Sequence, residues 1–585
     1  MDNQKTAHAP MEFVIEKKRE LAGAIKIEGI DANGIYQLLA VPQDNAMGDY
    51  CLPCFKFAGQ FKKSPMEIAK EIAESFNKNN GGLACAEAVS GYVNFKYDKF
   101  SLANETLNKV FKEGGDFGSI GIGGGRTVII DYSSINIAKP FHIGHLSTTV
   151  IGGALYRIYK KAGFNAFGIN HLGDWGTQFG KLISAFKMWG DRVALEKRGV
   201  DYLTELYVKF HAEAKINPSL NDDARKYFKQ LEDGEAYATN LFNEFKEITL
   251  EKVKEIYTKL DISFDSYNGE AFYNDKMQPV LNELEEKGLL KLSEGAKVVD
   301  LDAFGMPPCL LVKEDGATLY ATRDLSAVFY RKNSYNFYKC LYVVAYQQNL
   351  HFKQFFKVVE LMGKDWAKDL VHVPFGMVSL ESGAMSTREG NVVKLTDVLE
   401  QSVSKAYEII KEKNAGLKDK ERVAKEVGVG AVVFFALSNN RIKDIVFSYD
   451  KVLNFDGETA PYVQYTNARA SSVLRKLPKA VLDNLSAPIT KGEFEGINNK
   501  ESDLLISLID RFPSVINEVL EKYEPSILTR HLIDIAKAFN KFYYEHRIIN
   551  AEEAFIKPRA KMAYAVNTVL TEGLRLIGIA SPKEM

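Results

Sequence analysis

Two imidazoles three positions apart, His142 and His145, bracket a glycine in the run Lys139-Pro140-Phe141-His142-Ile143-Gly144-His145. At the start of a helix, such a pair sits among backbone N–H groups without intrahelical partners and at the positive end of the helix dipole, where anionic oxygen is favoured. Gly144 has no Cβ, so a flat purine ring could approach the backbone. Lys139 adds a fixed positive charge on the same turn. The set suits a nucleoside triphosphate attacked at its α-phosphorus, where charge builds on phosphate oxygens and prearranged donors supply most of the rate. Taken alone, H-x-G-H describes a pair of satisfied surface histidines equally well.

The elements around the motif favour the chemical reading. Residues 127–131 form a short β-branched apolar run, the pattern of a buried parallel strand. A turn over 132–141 follows. Leu146, Val150, Leu155, Ile158 and Tyr159 then recur at helical spacing, and Lys160, Lys161 and Gly163 make a C-terminal stop. Residues 165–170 read as a second strand. Strand, helix and strand form a βαβ unit whose crevice beyond the first strand accepts nucleotides. The glycine run 121–125 precedes a strand instead of following one, so it reads as a hinge and not as a phosphate loop. Residues 180–275 are helical and charged, an insertion within the sheet. Strand patterns return at 298–312, 340–345 and 371–377. From Leu395 the chain reads as helical to its end, with breaks near 478–491 and at Lys557-Pro558. Before the hinge, helical periods at 13–21 and 66–76 and a strand-like stretch at 91–96 make a small α+β unit.

Composition excludes whole classes. The 585 residues carry 75 Lys+Arg against 76 Asp+Glu, a net charge of −1, with 46% hydrophobic and 26% charged residues. That is a multidomain globular chain of about four domains, neither disordered nor a disulfide scaffold. The near-zero charge decides nothing about nucleic acid, so local clusters must. The N-terminus is polar, and the longest apolar run, 427–437, is about half of the ~20 residues a membrane span needs. The five cysteines, Cys51, Cys54, Cys85, Cys309 and Cys340, are odd in number and sparse, which fits a reducing cytoplasm. Cys51-x-x-Cys54 lacks the two further ligands of a zinc site and reads as packing.

Asn136-Ile137-Ala138-Lys139-Pro140-Phe141-His142-Ile143-Gly144-His145-Leu146 resembles the first signature of class I aminoacyl-tRNA synthetases, and in detail that of the arginyl-tRNA synthetase family. Asn170-His171-Leu172-Gly173-Asp174-Trp175-Gly176, Leu319-Tyr320-Ala321-Thr322-Arg323-Asp324, Gln347-Gln348-Asn349-Leu350-His351 and Tyr462-Val463-Gln464-Tyr465 are similar to further stretches of that family, in order. Met385-Ser386-Thr387-Arg388-Glu389-Gly390 stands where its second signature loop should be. Two departures matter. Ile135 stands where the family commonly has proline, which loosens the turn but removes no chemical group. Ala384 replaces the first loop lysine, and Arg388 with Glu389 sums to zero charge. The loop is thus a poor phosphate clamp. Lys139, on the nucleotide turn itself, is the candidate to compensate, as the resemblance also implies; an unchanged rate in Lys139→Ala would move the charge to another residue, such as Lys394.

The resemblance implies a fold: a Rossmann-like parallel-sheet catalytic domain with a helical insertion, a small N-terminal α+β domain and a C-terminal helical bundle. The expected boundaries are 1–112, 113–398 with the insertion at about 180–275, a helical connecting region 399–454, and an all-α anticodon-binding domain 455–585. It implies His142, His145 and Lys139 as catalytic, and Lys139, Phe141, His142, Gly144, His145, Met385, Ser386 and Arg388 at ATP. Asp131, Ser134, Asn136, His145, Tyr320, Asp324 and Gln348 would receive L-arginine. A guanidinium asks for carboxylates in a fork, and Asp324 follows Tyr320 by one helical turn. Tyr462, Tyr465 and Arg469 would contact tRNA(Arg). From spacing alone a solvated helix with two packed tyrosines describes them better, and the family reverses that preference. The implied function is arginine–tRNA ligation through an adenylate, with tRNA required for activation, Mg²⁺ accompanying ATP, no resident metal, no membrane partner, a cytoplasmic location and a monomer. The alternatives are a synthetase for another amino acid, a non-catalytic tRNA-binding paralogue and a small nucleotidyltransferase. Intact His142, His145 and Lys139 argue against the second, and the long helical C-terminal half against the third.

Overall fold

The computed structural model describes residues 15–42, 47–80, 82–380, 392–452 and 457–585. The chain forms two compact units. One comprises the chain up to Ile122 with Arg469–Asn517 and Asp534–Leu570; the other comprises Gly123–Ala468, Glu518–Ile533 and Thr571–Met585.

In the first unit, β1 (Tyr50–Pro53), β2 (Ala84–Val89) and β3 (Tyr92–Tyr97) make an antiparallel sheet in the order β1-β3-β2. Only the third was anticipated. The four residues of β1 give no readable alternation, and β2 is Ala-rich. Helix Pro65–Asn79 covers the sheet, started by a Ser64–Glu67 capping box and burying Ile68, Ile72 and Phe76. Cys51 and Cys54 are both buried, and burial pushes the Cys54 thiol up to about 11, which suits packing and not redox work. Helices of the later segments belong to the same unit. Lys17 meets Asp510 at 2.6 Å, and Lys561 reaches Asn108 at 2.6 Å and the Ala487 carbonyl at 2.7 Å.

The expected break at Lys557-Pro558 does not occur: helix Glu553–Leu576 runs through Pro558. The proline falls in the second turn and removes one backbone bond. Ala560, Met562, Ala563 and Val566 are fully buried immediately after it, so tertiary packing outweighs that loss.

The second unit is built on a parallel sheet of β4 (Thr127–Asp131), β5 (Asn165–Ile169), β9 (Lys339–Ala345) and β10 (Leu370–Phe375), in the order β10-β9-β4-β5. Both faces of β4 are covered, and Val128, Ile129 and Ile130 are wholly buried. Helix Leu146–Lys161 buries the five apolar positions read from its spacing. On the other face, Ile129 and Ile169 join Leu325, Val328, Phe355 and Val358 of helices Tyr320–Tyr335 and Asn349–Leu361. Chain order reverses at β4, with β5 on one side and β9 on the other, so the crevice beyond the carboxyl ends of β4 and β9 is the topological switch point. The insertion between β5 and β9 comprises helices Thr177–Trp189, Arg192–Ile216, Leu220–Glu232 and Ala236–Lys259, followed by an antiparallel sheet of β6 (Leu290–Ser293), β7 (Ala296–Val299) and β8 (Cys309–Val312). A parallel pair, β11 (Val378–Leu380) and β12 (Ile445–Phe447), lies further along. No described helix is long and apolar enough to cross a membrane.

Gly152 lies where helix Leu146–Lys161 crosses the turn after β4, and a Cβ there would overlap the ring of Tyr132, itself fully buried. Gly152→Ala should therefore destabilise the second unit by about 1–3 kcal/mol, read as a lower urea midpoint. An unchanged midpoint would show that the Tyr132 ring has room to retreat.

Candidate active site

The turn from β4 to helix Leu146–Lys161 departs from ordinary backbone geometry. Ser133, Ser134 and Ala138 have φ of 68°, 43° and 61°, the left-handed region that non-glycine residues avoid. Specific bonds hold each part. Ser133 N–H donates to Thr148 Oγ1 at 3.0 Å, and its hydroxyl lies 2.8 Å from Thr149 Oγ1 and 2.7 Å from the Tyr257 hydroxyl, which also accepts from Asn170 Nδ2 at 2.8 Å. Ala138 N–H donates to Thr249 Oγ1 at 3.1 Å. Asn136 is exposed and pairs by backbone with Gly173, where a Cβ would strike the Asn136 amide. Tyr257 and Thr249 come from the insertion, which therefore shapes the turn.

A single 3₁₀ turn, Ile143–His145, carries the imidazoles into the helix. Gly144 N–H donates to His142 Nδ1 at 3.1 Å, and His142 N–H donates to His145 Nδ1 at 3.2 Å. Both rings thus accept at Nδ1, so each neutral ring carries its proton on Nε2 and presents that N–H as a donor. Burial, with the Lys139 charge adding to it, pushes His142 down to about 4; burial, His142 and Lys139 hold His145 well below the usual range. The ring centroids stand 3.9 Å apart. Lys139 lies with its ammonium 5.9 Å from the Tyr207 ring centre, on helix Arg192–Ile216. Phe141 is buried, its ring 5.0 Å from His145 and 5.8 Å from Tyr257, so it props the turn from beneath.

The expected arginine residues gather at the same crevice. Asp131 ends β4, and each of its oxygens has an internal partner: Ser134 Oγ donates to Oδ1 at 2.8 Å, and Arg331 Nη2 lies 2.7 Å from Oδ2. Arg331 is 1% exposed. Asp324 accepts from His351 Nε2 at 2.6 Å. Burial would raise Asp324, but that bond and charge, with His171 and Arg331 beyond, outweigh it and hold the carboxylate below its usual range. His351 moves the opposite way: burial would lower it, and Asp324 holds it above. Tyr320 opens helix Tyr320–Tyr335 and is 66% exposed, while Gln348 is exposed just beyond the end of β9. A further carboxyl, Glu270, is pushed up to about 8 by burial, which Arg323 opposes and Asp324 and Asp174 reinforce. Met385, Ser386 and Arg388 lie outside the described residues, as does the rest of 381–391. Among the described residues no three His, Cys, Asp or Glu side chains group so as to hold a metal ion.

Sequence reasoning missed Arg331, His351 and Glu270 as site groups. Arg331 was reachable, since it follows Tyr320 and Asp324 at spacings of eleven and seven, the same helix face. Glu270 carried no comparable signal.

The expected tRNA residues stand on helix Ala460–Arg475, where Tyr465 is 49% exposed. In the first unit, Arg469 bonds to Asn540 and lies over Tyr543, 5.2 Å from its ring centre. A cavity of about 530 Å³ is lined by these three with Tyr544, Arg547 and Asn550. Tyr544 is 85% exposed. These aromatic and cationic side chains at the end of helix Ser526–Glu545 also escaped sequence reasoning, because helical spacing does not say which face a bundle leaves open.

Three family models match the chain: "tRNA synthetases class I (R), catalytic domain" over residues 107–449, "DALR anticodon binding domain" over 463–585 and "Arginyl tRNA synthetase N terminal domain" over 16–97. The chain is 49% identical over 570 residues to the arginine–tRNA ligase of Alkaliphilus metalliredigens, covering 97% of this chain and 99% of that one. It is 48% identical to that of Halothermothrix orenii, covering 98% and 100%. Its fold resembles the Thermus thermophilus arginyl-tRNA synthetase, with a TM-score of 0.79 at 23% identity over 97% of this chain and 99% of that one.

Removing Arg331 would leave Asp131 buried without its cation. Arg331→Met should cost about 3–5 kcal/mol, and adding Asp131→Asn should recover part of that loss in urea unfolding. Equal midpoints for the native chain and Arg331→Met would show that the pair contributes nothing.

Proposed function

This chain belongs to the arginyl-tRNA synthetase family, and from that premise we propose that the crevice beyond β4 and β9 joins L-arginine to ATP as an adenylate before transfer to tRNA(Arg). The enzyme is an arginine–tRNA ligase of class I. In the first step an arginine carboxylate oxygen attacks the α-phosphorus, the bond to the β-phosphate oxygen breaks, and pyrophosphate leaves. In the second, the 2′-hydroxyl of the terminal ribose attacks the arginyl carbonyl and AMP leaves. The second step needs tRNA, and we take the first to need it as well.

The observation that carries this reading is the pair of neutral imidazoles whose Nδ1 atoms both accept backbone N–H. Their Nε2–H groups are prearranged donors for phosphate oxygens, and they keep one protonation state throughout the neutral range. Lys139 supplies the charge they lack. Gly144 lies under the purine. Mg²⁺ enters with the triphosphate, bound to its phosphate oxygens. Asp324, held anionic, receives the guanidinium with Tyr320 and Gln348; Asp131 and Ser134, expected to receive arginine themselves, are instead engaged with Arg331 and with each other and hold the turn for Asn136 and His145 at the α-amino and carboxylate end. Tyr462, Tyr465 and Arg469 contact tRNA. Residues 1–112 serve as a tRNA-contacting domain, 113–398 as the catalytic domain, 399–454 as a connecting region and 455–585 as the anticodon reader.

ATP–pyrophosphate exchange, run with each amino acid with and without tRNA, tests the reading. Exchange with arginine alone, and only with tRNA present, is expected; exchange favouring another amino acid overturns the pocket assignment. Lys139→Ala should slow adenylate formation by roughly 10²–10³-fold, the cost of one transition-state donor.

Glu270 makes arginine binding depend on pH. In the free enzyme it holds a proton up to about pH 8, and a guanidinium beside it favours the anion. Arginine uptake then releases a proton below that pH, so affinity rises as pH rises towards 8 and levels off above it. His351, which Asp324 holds above its usual range, adds a slope of the same sign as it loses its positive charge. The arginine KM should fall over this range, and Glu270→Gln should flatten the part nearest pH 8. An identical profile in the variant would place Glu270 outside the pocket's electrostatics.

A further inference from the structure

The signature loop lacks its usual first lysine at Ala384, and the neutral imidazoles carry no charge. Of the two cations expected at ATP, Lys139 and Arg388, Glu389 offsets the second, which leaves Lys139 against a triphosphate that carries several negative charges. A second candidate stands directly opposite His142. Ile143 N–H donates to the Val393 carbonyl at 2.9 Å, and Leu395 N–H donates to the Phe141 carbonyl at 3.1 Å. The two bonds flank an antiparallel bridge between His142 and Lys394. That pattern is the non-hydrogen-bonded kind of pair, in which the Cα atoms lie about 4.5 Å apart and both side chains leave on the same face. Lys394 therefore emerges beside the imidazole of His142.

Its ammonium meets Asp201 Oδ1 at 2.9 Å. Asp201 stands on helix Arg192–Ile216, two residues past the non-helical Gly199. The pair is exposed, at 40% and 55% of the two side chains, and exposed pairs hold weakly. Lys252 also faces Asp201, so that carboxylate keeps a cation when Lys394 departs. The same helix carries Tyr207 under Lys139. The insertion thus touches both cations that flank the imidazoles.

We propose that Lys394 is a second phosphate-binding cation of this site, held on Asp201 in the resting enzyme and passed to the triphosphate when ATP arrives. The proposal rests on the adenylate reading given above. Asp201 is on this account a positioning residue that competes with ATP for Lys394. Its removal frees the lysine and tightens ATP.

The test is the ATP KM in pyrophosphate exchange at saturating arginine and tRNA. Lys394→Met should raise it about 10–100-fold, the loss of one charge-assisted bond, and Lys394→Arg should restore most of that. Asp201→Asn should lower it about two- to fivefold, the scale of an exposed pair, and the effect should vanish in the Lys394→Met background. The arginine KM should stay put in all four proteins, which a general structural fault would not allow. A native ATP KM in Lys394→Met overturns the assignment. So does an Asp201→Asn effect that is absent, or that is equal in both backgrounds. Failure of the adenylate reading itself would look different: the unsubstituted enzyme would show no arginine-dependent exchange.

Discussion

The turn between Asp131 and His145 holds three non-glycine residues in left-handed backbone, a conformation that costs of order 1–3 kcal/mol at each such position. It persists because the surroundings over-determine it. Hydroxyls from helix Leu146–Lys161 and from the insertion bind its N–H groups and side chains, and Gly152 and Gly173 clear the space its side chains need. A looser turn would leave the same residue types in place with their donors unaimed. Prearrangement is what a phosphoryl site of this kind requires, since the protein performs little covalent chemistry there. The strain is thus offset by packing and hydrogen bonding some distance from the imidazoles it positions.

The arginine end of the crevice is governed by charge. Three carboxyls close together cannot all ionise cheaply, and each is handled differently. Asp131 is paired with a buried guanidinium, Asp324 with His351, and Glu270 is pushed up to about 8 by burial. The arriving substrate is itself a guanidinium. On the proposed reading a guanidinium would replace a proton on Glu270 and share Asp324 with His351, so the site would accept a cation without first holding an uncompensated anion. Arg331 and Ser134 occupy both Asp131 oxygens, while Tyr320 and Gln348 are exposed.

Much of this was legible from residue types. The β4 run, the five apolar positions of helix Leu146–Lys161 and the crevice at its start followed from periodicity, because both elements are buried on the faces the pattern marks. Tyr320 and Asp324 share a helix face, as their spacing implied. The failures have physical causes. Pro558 does not break its helix, since the packing of Ala560 and Met562 lies outside any local rule. β1 and β2 are too short or too Ala-rich to alternate. Glu270 reaches the site from a 3₁₀ segment far along the chain, and no local pattern marks a carboxyl as sharing a pocket with Asp324. Helical spacing could bring Arg331 to the site, but that it pairs with Asp131 in particular appears only when the helix packs beside β4.

On the proposed reading, burial that keeps His142 and His145 neutral also divides the labour of the triphosphate site. A neutral donor offers direction but no net charge, and an imidazole pushed down to about 4 cannot regain charge in the neutral range. Charge must then come from groups that remain ionised beside the imidazoles, which means ammonium groups still in contact with water. Lys139 on the turn and Lys394 opposite it both rest against one helix of the insertion, at Tyr207 and Asp201. Desolvation is what holds the imidazoles neutral. A site built this way needs no charged signature loop, provided that the insertion holds the lysines weakly enough to release them.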